Sequence, residues 1–281
     1  MAKKIWLVGI GMGNRDTLTI GAWNILKNCD CLIGAQRMLD AFPELTCRRF
    51  AATAPEKIAA FLQEHPEFQT IGVVFSGDVG FYSGAKKLRS LFPEHLIEEC
   101  CGISTVAYLC AKLHTPWEDV RLVSAHGQAC NLAGEVRTHE KVFVLAGKVS
   151  AQELCKALCR AGLGGVTVSV GERLSYPEEA ITTGPAERLS GQTFDPLSAL
   201  LIQNPAPLSN DTLAFGLPDE RFIRGNTPMT KSEVRCISLS RLRLQRESIA
   251  WDIGAGTGSV SIEMALQAAR GMVYAVEKDA D

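Results

Sequence analysis

The sequence predicts an α/β fold on a mainly parallel sheet, followed by the start of a second sheet of the same kind. Three observations carry this. Short apolar runs alternate with helical stretches from the first residues onward. Two glycine-rich turns each follow directly on an apolar run, at residues 9–13 and 254–258. A stretch rich in proline, asparagine and aspartate, residues 204–228, separates the two sets and reads as a linker.

Taken in order, "IWLVGIG" is a first buried strand, and Thr17 or Asp16 is positioned to cap a helix running to about Asn28. "CDCLIGA" is the next strand, and "APEKIAAFLQEH" is an amphipathic helix with Pro55 in its first turn. "TIGVVFSGD" is a buried strand, "GAKKLRSLF" and "STVAYLCAKL" are helices, and "VRLVSAHG" is a strand. From about Lys141 a second set begins with strand "KVFVLAG", helix "SAQELCKALCRAG" and strand "GVTVSVGE", closed by "FDPLSALLIQN". After the linker, "TKSEVRCISLSRLRL" is a helix and "SIAWDIG" starts a new sheet.

Composition bounds the function. A chain of 281 residues makes one large or two ordinary domains, and 46% hydrophobic against 21% charged residues is a globular balance. A net charge of -2 gives no electrostatic pull toward nucleic acid or an acidic membrane surface. No apolar run reaches the ~18 residues of a membrane helix. The opening "MAKKIWLVGIG" has the lysines of a signal peptide, but its apolar run breaks at glycines and no small-residue cleavage site follows. The ten cysteines form no C-x-x-C pair and the five histidines do not cluster, so no metal is expected. Scattered cysteines without a signal sequence suggest reduced thiols in a cytosol.

The two glycine turns differ in their downstream partners. A dinucleotide site wants a carboxylate about 20 residues after its glycines, ending the second strand. After Gly9-x-Gly11-x-Gly13 the second strand ends at Gly34-Ala35-Gln36, which disfavours pyrophosphate and leaves close ligand approach or a plain tight turn. After Gly254, Gly256 and Gly258, Glu277 stands nineteen residues beyond Gly258 at a strand end. That spacing suits a carboxylate gripping two ribose hydroxyls, with the cofactor at the helix N-terminus. It does not choose between NAD and S-adenosylmethionine.

Five stretches together resemble the tetrapyrrole methylase family: "VGIGMGNRDTLT", "SGDVGFYSGAKKL", "CGISTVAYLCAKLHTPWEDVRLVSAHGQ", "GERLSYPEEAITTG", and the closing "GLPDERFIRGNTPMTKSEVRCISLSRLRL…WDIGAGTGSVSIEMA". The last resembles the partner methyltransferase to which cobalamin-pathway members are fused. The resemblance implies a two-subdomain fold, a mainly parallel sheet followed by a mixed sheet, then an incomplete Rossmann-like segment. The boundaries it suggests are a methylase domain over 1–205, a linker over 206–228 and a second methyltransferase domain starting at 229. It implies S-adenosylmethionine-dependent methylation of a precorrin at carbon 5 by the first domain, in a homodimer. The second domain's carbon-15 methylation and decarboxylation would be present only in part. Such a domain carries about five more strands, so residues 226–281 are expected not to close their sheet.

By motif position the resemblance implies cofactor contacts from Gly11, Met12, Gly13, Gly77, Asp78, Phe81, Ser104, Thr105 and Ala146, and from Thr183 or Gly184. In the second domain it adds Thr230 to Gly254, Gly256, Gly258 and Glu277. His126, Asp78 and Tyr82 are the catalytic candidates, with Glu172 and Tyr176 as further cleft residues. Asp78 reads equally as a helix cap, and His126 as a structural histidine. Met12, Val79 and Cys101 stand where the family carries proline, and Gln128 where relatives often carry arginine. Relatives acting on ribosomal RNA or a diphthamide precursor, and a non-catalytic cofactor- or tetrapyrrole-binding module, are the competing readings.

Overall fold

The computed structural model describes residues 3–92, 96–125, 131–208, 216–223, 225 and 227–278. Cα packing divides the chain into two compact units, residues 1–128 with 141–202, and residues 129–140 with 203–281.

The first unit starts with strands β1 (Lys4–Gly9), β2 (Cys31–Gly34), β3 (Arg48–Ala51), β4 (Thr70–Phe75) and β5 (Leu96–Cys100), ordered β3-β2-β4-β1-β5. The pairs β1–β4, β1–β5, β2–β3 and β2–β4 are all parallel. Side chains alternate across such a sheet. Ile5, Leu7, Ile33, Ile71 and Val73 therefore pack to one side with Ile58 and Phe61, while Val8, Leu32 and Val74 pack to the other with Ala22 and Leu26. The covering helices are α1 (Ile20–Lys27), α2 (Gln36–Asp40), α3 (Pro55–Glu64) and α4 (Ala85–Leu91). Thr19, not Thr17 or Asp16, caps α1, its hydroxyl accepting from Ala22 N at 3.1 Å. Thr17 is buried instead, where its hydroxyl accepts from Met12 N at 3.0 Å and steadies the first glycine turn.

Helix α5 (Thr105–Lys112) leads to the second sheet: β6 (Arg121–Ser124), β7 (Lys141–Leu145), β8 (Thr167–Glu172), β9 (Ala180–Pro185) and β10 (Ser198–Gln203), ordered β6-β7-β10-β8-β9. β6–β7 is parallel and β8–β9 antiparallel, so the sheet is mixed. Phe143, Ala199 and Leu201 bury Val106, Leu109 and Cys110 of α5. On their strands Val142, Val144, Leu200 and Ile202 alternate with these and are also buried. Helices α7 (Ala151–Arg160) and α8 (Ala186–Leu189) complete the unit.

The second unit includes α6 (Leu132–Thr138), which lies within the 1–205 span expected for the first domain. It is held by Asn204, whose Nδ2 donates to Val136 O at 2.8 Å, and by Leu208 N on Arg137 O at 2.7 Å. The unit continues with α9 (Ser232–Leu242), β11 (Ile249–Ile253), α10 (Ser259–Gln267) and β12 (Met272–Val276); β11 and β12 pair in parallel. No described helix is long and apolar enough to cross a membrane.

Candidate active site

In the first unit the site grows from three neighbouring strands. β1 lies between β4 and β5, all parallel, so the loops after them leave the same sheet edge side by side. Loops at the carboxyl ends of parallel strands are where α/β sheets hold ligands. Glycine lets these three touch: a Cβ on Gly9 would lie 2.7 Å from both Gly102 N and Gly77 O. Gly11 and Gly77 form an isolated bridge, with Gly11 N donating to Gly77 O at 3.2 Å and Gly77 N to Gly11 O at 2.6 Å. Gly11, Gly13 and Gly77 all have positive φ, which side chains resist.

Asp78 ties the second loop to the third. Its Oδ1 accepts from Gly80 N at 2.8 Å and its Oδ2 from Gly102 N at 2.9 Å. Neither the proposed helix cap nor a side chain lining the cavity is found there. Ser104 is the cap: it starts α5, its hydroxyl accepting from Ala107 N at 3.3 Å. Tyr82 takes a left-handed backbone (φ 48°), and its hydroxyl donates to Leu122 O of β6 at 3.1 Å.

These loops open on a cavity of about 310 Å³. Met12, Phe81, Leu145 and Leu174 supply apolar wall, and Ser76, Ser83, Thr105 and Ser124 supply hydroxyls. Ala146, Tyr82, Tyr176 and Arg37 also line it. Met12, Phe81, Tyr82, Thr105, Ala146 and Tyr176, which the sequence singled out separately, are brought together in this one cavity. Gly11, Gly13, Gly77, Asp78 and Ser104 shape its floor from behind through the contacts above. Thr183 and Gly184 are not brought to it. Thr183 pairs with Ser169 on β8, two residues from the Gly171 that lines the cavity, and its Oγ1 lies 2.9 Å from Ser169 Oγ. A Cβ on Gly184 would run into the Arg188 guanidinium. Glu172 also turns aside, accepting from Asp195 N at 2.7 Å. His126 and Gln128 lie outside the described residues.

Sequence reasoning missed Arg37, Ser76, Ser124, Leu174 and the 196–199 segment. Arg37 carried a readable signal, since it stands just past the carboxyl end of β2. The segment 173–179 crosses the cavity mouth under several ties. Asn14 Nδ2 donates to Ser175 O at 2.8 Å, and Ser175 N to Glu179 Oε2 at 2.5 Å. Tyr108 O–H donates to Glu179 Oε2 at 2.7 Å, and Lys112 Nζ sits 2.7 Å from Glu179 Oε1. Partial burial raises the Glu179 pKa, but the Lys112, Tyr108 and Ser175 donors outweigh it and leave it below the usual glutamate value. Buried Cys29 and Cys31 have their thiols pushed up to about 12, chiefly by desolvation, so they stay protonated.

The sequence profile described as Tetrapyrrole (Corrin/Porphyrin) Methylases matches residues 4–190. The chain belongs to the tetrapyrrole methylase family. A second profile, described as a precorrin methyltransferase domain, matches residues 221–281. The chain is 28% identical over 207 residues to a probable cobalt-precorrin-7 C(5)-methyltransferase of Methanocaldococcus jannaschii, covering 71% of this chain and 97% of that one. It is 26% identical over 274 residues to a precorrin-6Y C(5,15)-methyltransferase [decarboxylating] of Sinorhizobium sp, covering 93% of this chain and 65% of the relative. A probable cobalt-precorrin-6B C(15)-methyltransferase of Pyrobaculum calidifontis matches at 54% over 66 residues, 23% of this chain and 34% of its own length. Among solved structures, a precorrin-6Y methylase of cobalamin biosynthesis from Archaeoglobus fulgidus superposes with TM-score 0.58 at 20% identity, over 73% of this chain and all of that one. A uroporphyrin-III C-methyltransferase from Thermus thermophilus, complexed with S-adenosyl homocysteine, gives 0.61 at 17%, over 72% and 97%. These two likenesses establish the fold: a mainly parallel sheet followed by a mixed one.

In the second unit the turn after β11 brings its glycines beside Glu277. Gly254, Gly256 and Gly258 have positive φ, and Glu277 Oε2 accepts from Gly256 N at 2.8 Å. Thr230 is tied elsewhere: its carbonyl accepts from Arg235. Arg235 is fully buried; it also binds Glu263 Oε1 and Asp219 Oδ1, each at 2.8 Å, and Leu217 O at 2.5 Å. Its knot ties Leu217, Asp219 and Thr230 to Glu263 of α10, a feature the linker reading did not contain. Among the described residues no group of three or more His, Cys, Asp or Glu side chains is arranged to hold a metal.

Proposed function

We propose that the first unit binds S-adenosylmethionine and methylates carbon 5 of a precorrin in cobalamin biosynthesis. The observation that carries this reading is the trio of interlocked glycine loops opening on one cavity, in a chain that matches a C(5)-methyltransferase over 97% of that relative's length. The cavity suits the cofactor: apolar walls at Met12, Phe81, Leu145 and Leu174 fit an adenine, and the hydroxyls of Ser76, Thr105 and Ser124 fit a ribose and amino-acid end. Among the described lining residues the one charged side chain, Arg37, is exposed, so none of them sets a buried cation against a sulfonium.

When bound, that cofactor supplies an already electrophilic methyl group. The chain's own work is then positioning and exclusion of water. The Gly11–Gly77 bridge and Asp78 hold the loops in register, Met12 and Phe81 wall off solvent, and Thr105 presents its hydroxyl from the first turn of α5. Asp78 belongs in this reading as a positioning residue, because each oxygen accepts a backbone N–H. Tyr82 braces the loop against β6, and a base role for His126 remains part of the proposal. Residues 1–205 would form the methylase domain, 206–228 the connection, and 229–281 the opening of a carbon-15 methyltransferase domain, with its cofactor at Gly254–Gly258 and Glu277. We place the protein in the cytoplasm, as a homodimer acting on a tetrapyrrole and not on nucleic acid.

Calorimetric titration with S-adenosylhomocysteine tests the cofactor site. The reading expects binding that Thr105→Tyr abolishes and Glu277→Gln leaves in place for the first unit. Binding indifferent to Thr105→Tyr removes this cavity as the cofactor site.

A further inference from the structure

Among the described residues that line the cavity of the first unit, Arg37 alone is charged, and it stands at the rim. It is exposed at the start of α2, immediately past the carboxyl end of β2. Its Nη1 donates to the Tyr176 hydroxyl at 3.0 Å. That hydroxyl in turn sits over the first glycine loop, 2.7 Å from where a Cβ on Gly13 would be. Among the described residues no carboxylate pairs with Arg37, and Asp40, the acid on its own helix, is taken by Gln36 Nε2 at 2.8 Å.

A guanidinium has five N–H donors in a planar fork that matches a carboxylate. A neutral phenol occupies one of them here and fixes the plane without neutralising the charge. The arrangement is a cation held toward the cavity mouth with its fork open. We propose that Arg37 is the receptor for a ligand carboxylate, and that the carboxylate is one carried by the tetrapyrrole, which sets how the macrocycle enters the cleft. This rests on the methylase reading above. The same chemistry could come from the carboxylate of the cofactor's methionine end, and the two sources separate experimentally.

The full chain is titrated with dicyanocobyrinic acid, a corrin polycarboxylate, with its fully methylated ester, and with S-adenosylhomocysteine. Wild type, Arg37→Gln, Arg37→Lys and Tyr176→Phe are compared, with thermal midpoints as the folding control. Because Arg37 is exposed, its substitutions are expected to leave the midpoint unchanged. The expected result is that wild type prefers the acid to the ester and Arg37→Gln weakens the acid about tenfold or more. Ester and S-adenosylhomocysteine affinities should stay as they were, and Arg37→Lys should recover part of the loss. Tyr176→Phe should keep the preference for the acid, since the charge remains. If Arg37→Gln weakens only S-adenosylhomocysteine, the carboxylate is the cofactor's and the macrocycle assignment is overturned. If acid affinity is unchanged in Arg37→Gln, the assignment fails while the methylase reading stands. If wild type binds neither corrin form, the substrate reading itself fails, and the assignment with it.

Discussion

Asp78→Asn separates a positioning aspartate from a catalytic base. In the structure the carboxylate spans two loops, accepting from Gly80 N at 2.8 Å and from Gly102 N at 2.9 Å. An amide keeps one oxygen and turns an NH2 toward the other backbone N–H, so one charge-assisted bond is lost and a donor faces a donor. A hydrogen bond to a charged group contributes about 1.5–3 kcal/mol, and with about 2 kcal/mol lost from loop register the S-adenosylhomocysteine Kd should rise up to about thirtyfold. The assay is calorimetry at neutral pH, with turnover of a precorrin substrate measured beside it. The account predicts weaker cofactor binding and a rate that recovers substantially at saturating cofactor. A base removed from the chemistry would instead cost about 10²–10⁴ in rate with binding intact. That second pattern would refute the positioning argument and restore Asp78 as the base.

Three further outcomes follow from the same contacts. Gly13→Ala must hold a side chain at φ 100° and place its Cβ 2.7 Å from the Tyr176 hydroxyl, so cofactor affinity should fall by about tenfold or more. Removing that hydroxyl in Gly13→Ala/Tyr176→Phe should return the steric part of the loss, and a double variant no better than the single one contradicts this. Glu179 has a lowered folded pKa, so its stabilisation is present above the ordinary value of 4.5 and is lost as pH falls through the folded value. Urea unfolding should therefore show Glu179→Gln weaker than wild type by about 1 kcal/mol at neutral pH, discounted for the half-exposed Lys112, with the gap closing as the pH falls through that lowered value. Arg235→Met leaves Glu263, 3% exposed, with its charge unpaired, and should destabilise the second unit by about 3–5 kcal/mol. Hydrogen exchange at α9 and α10 reads this, and Arg235→Met/Glu263→Met should lose much less than the single change.

The sequence revealed central strands and concealed edges. β1, β2, β4, β7, β8 and β10 were legible because burial on both faces made them continuous apolar runs. β3 ("RRFA"), β5 ("LIEEC") and β9 ("AITTGP") were not marked, and each is the edge of its sheet. An edge strand solvates one flank and carries charge, so its pattern looks like loop. β6 was the edge strand that did show, through its apolar Leu122 and Val123. The site followed a similar division. Met12, Phe81, Thr105 and Ala146 could be placed because they stand inside motif loops at strand ends. Thr183 and Gly184 do not line the cavity, because which register of β9 faces it depends on its pairing with β8. Leu174 reaches the cavity because the 173–179 segment is drawn in by Asn14 and Glu179, whereas Arg37 needed only its place past the carboxyl end of β2 to be read. Likewise the Arg235 knot joins residues far apart in sequence, tying Leu217 and Asp219 of the proline-rich stretch to Glu263 of α10.

The most direct test of the account is methyl transfer itself. The chain is incubated with a precorrin lacking the carbon-5 methyl and with S-adenosylmethionine labelled with carbon-13 in its methyl group, and the product is read by NMR. The account predicts a single new labelled methyl, at carbon 5, that forms more slowly in Gly13→Ala at subsaturating cofactor. Label at another carbon, or none with substrate and cofactor both shown to bind, would contradict it.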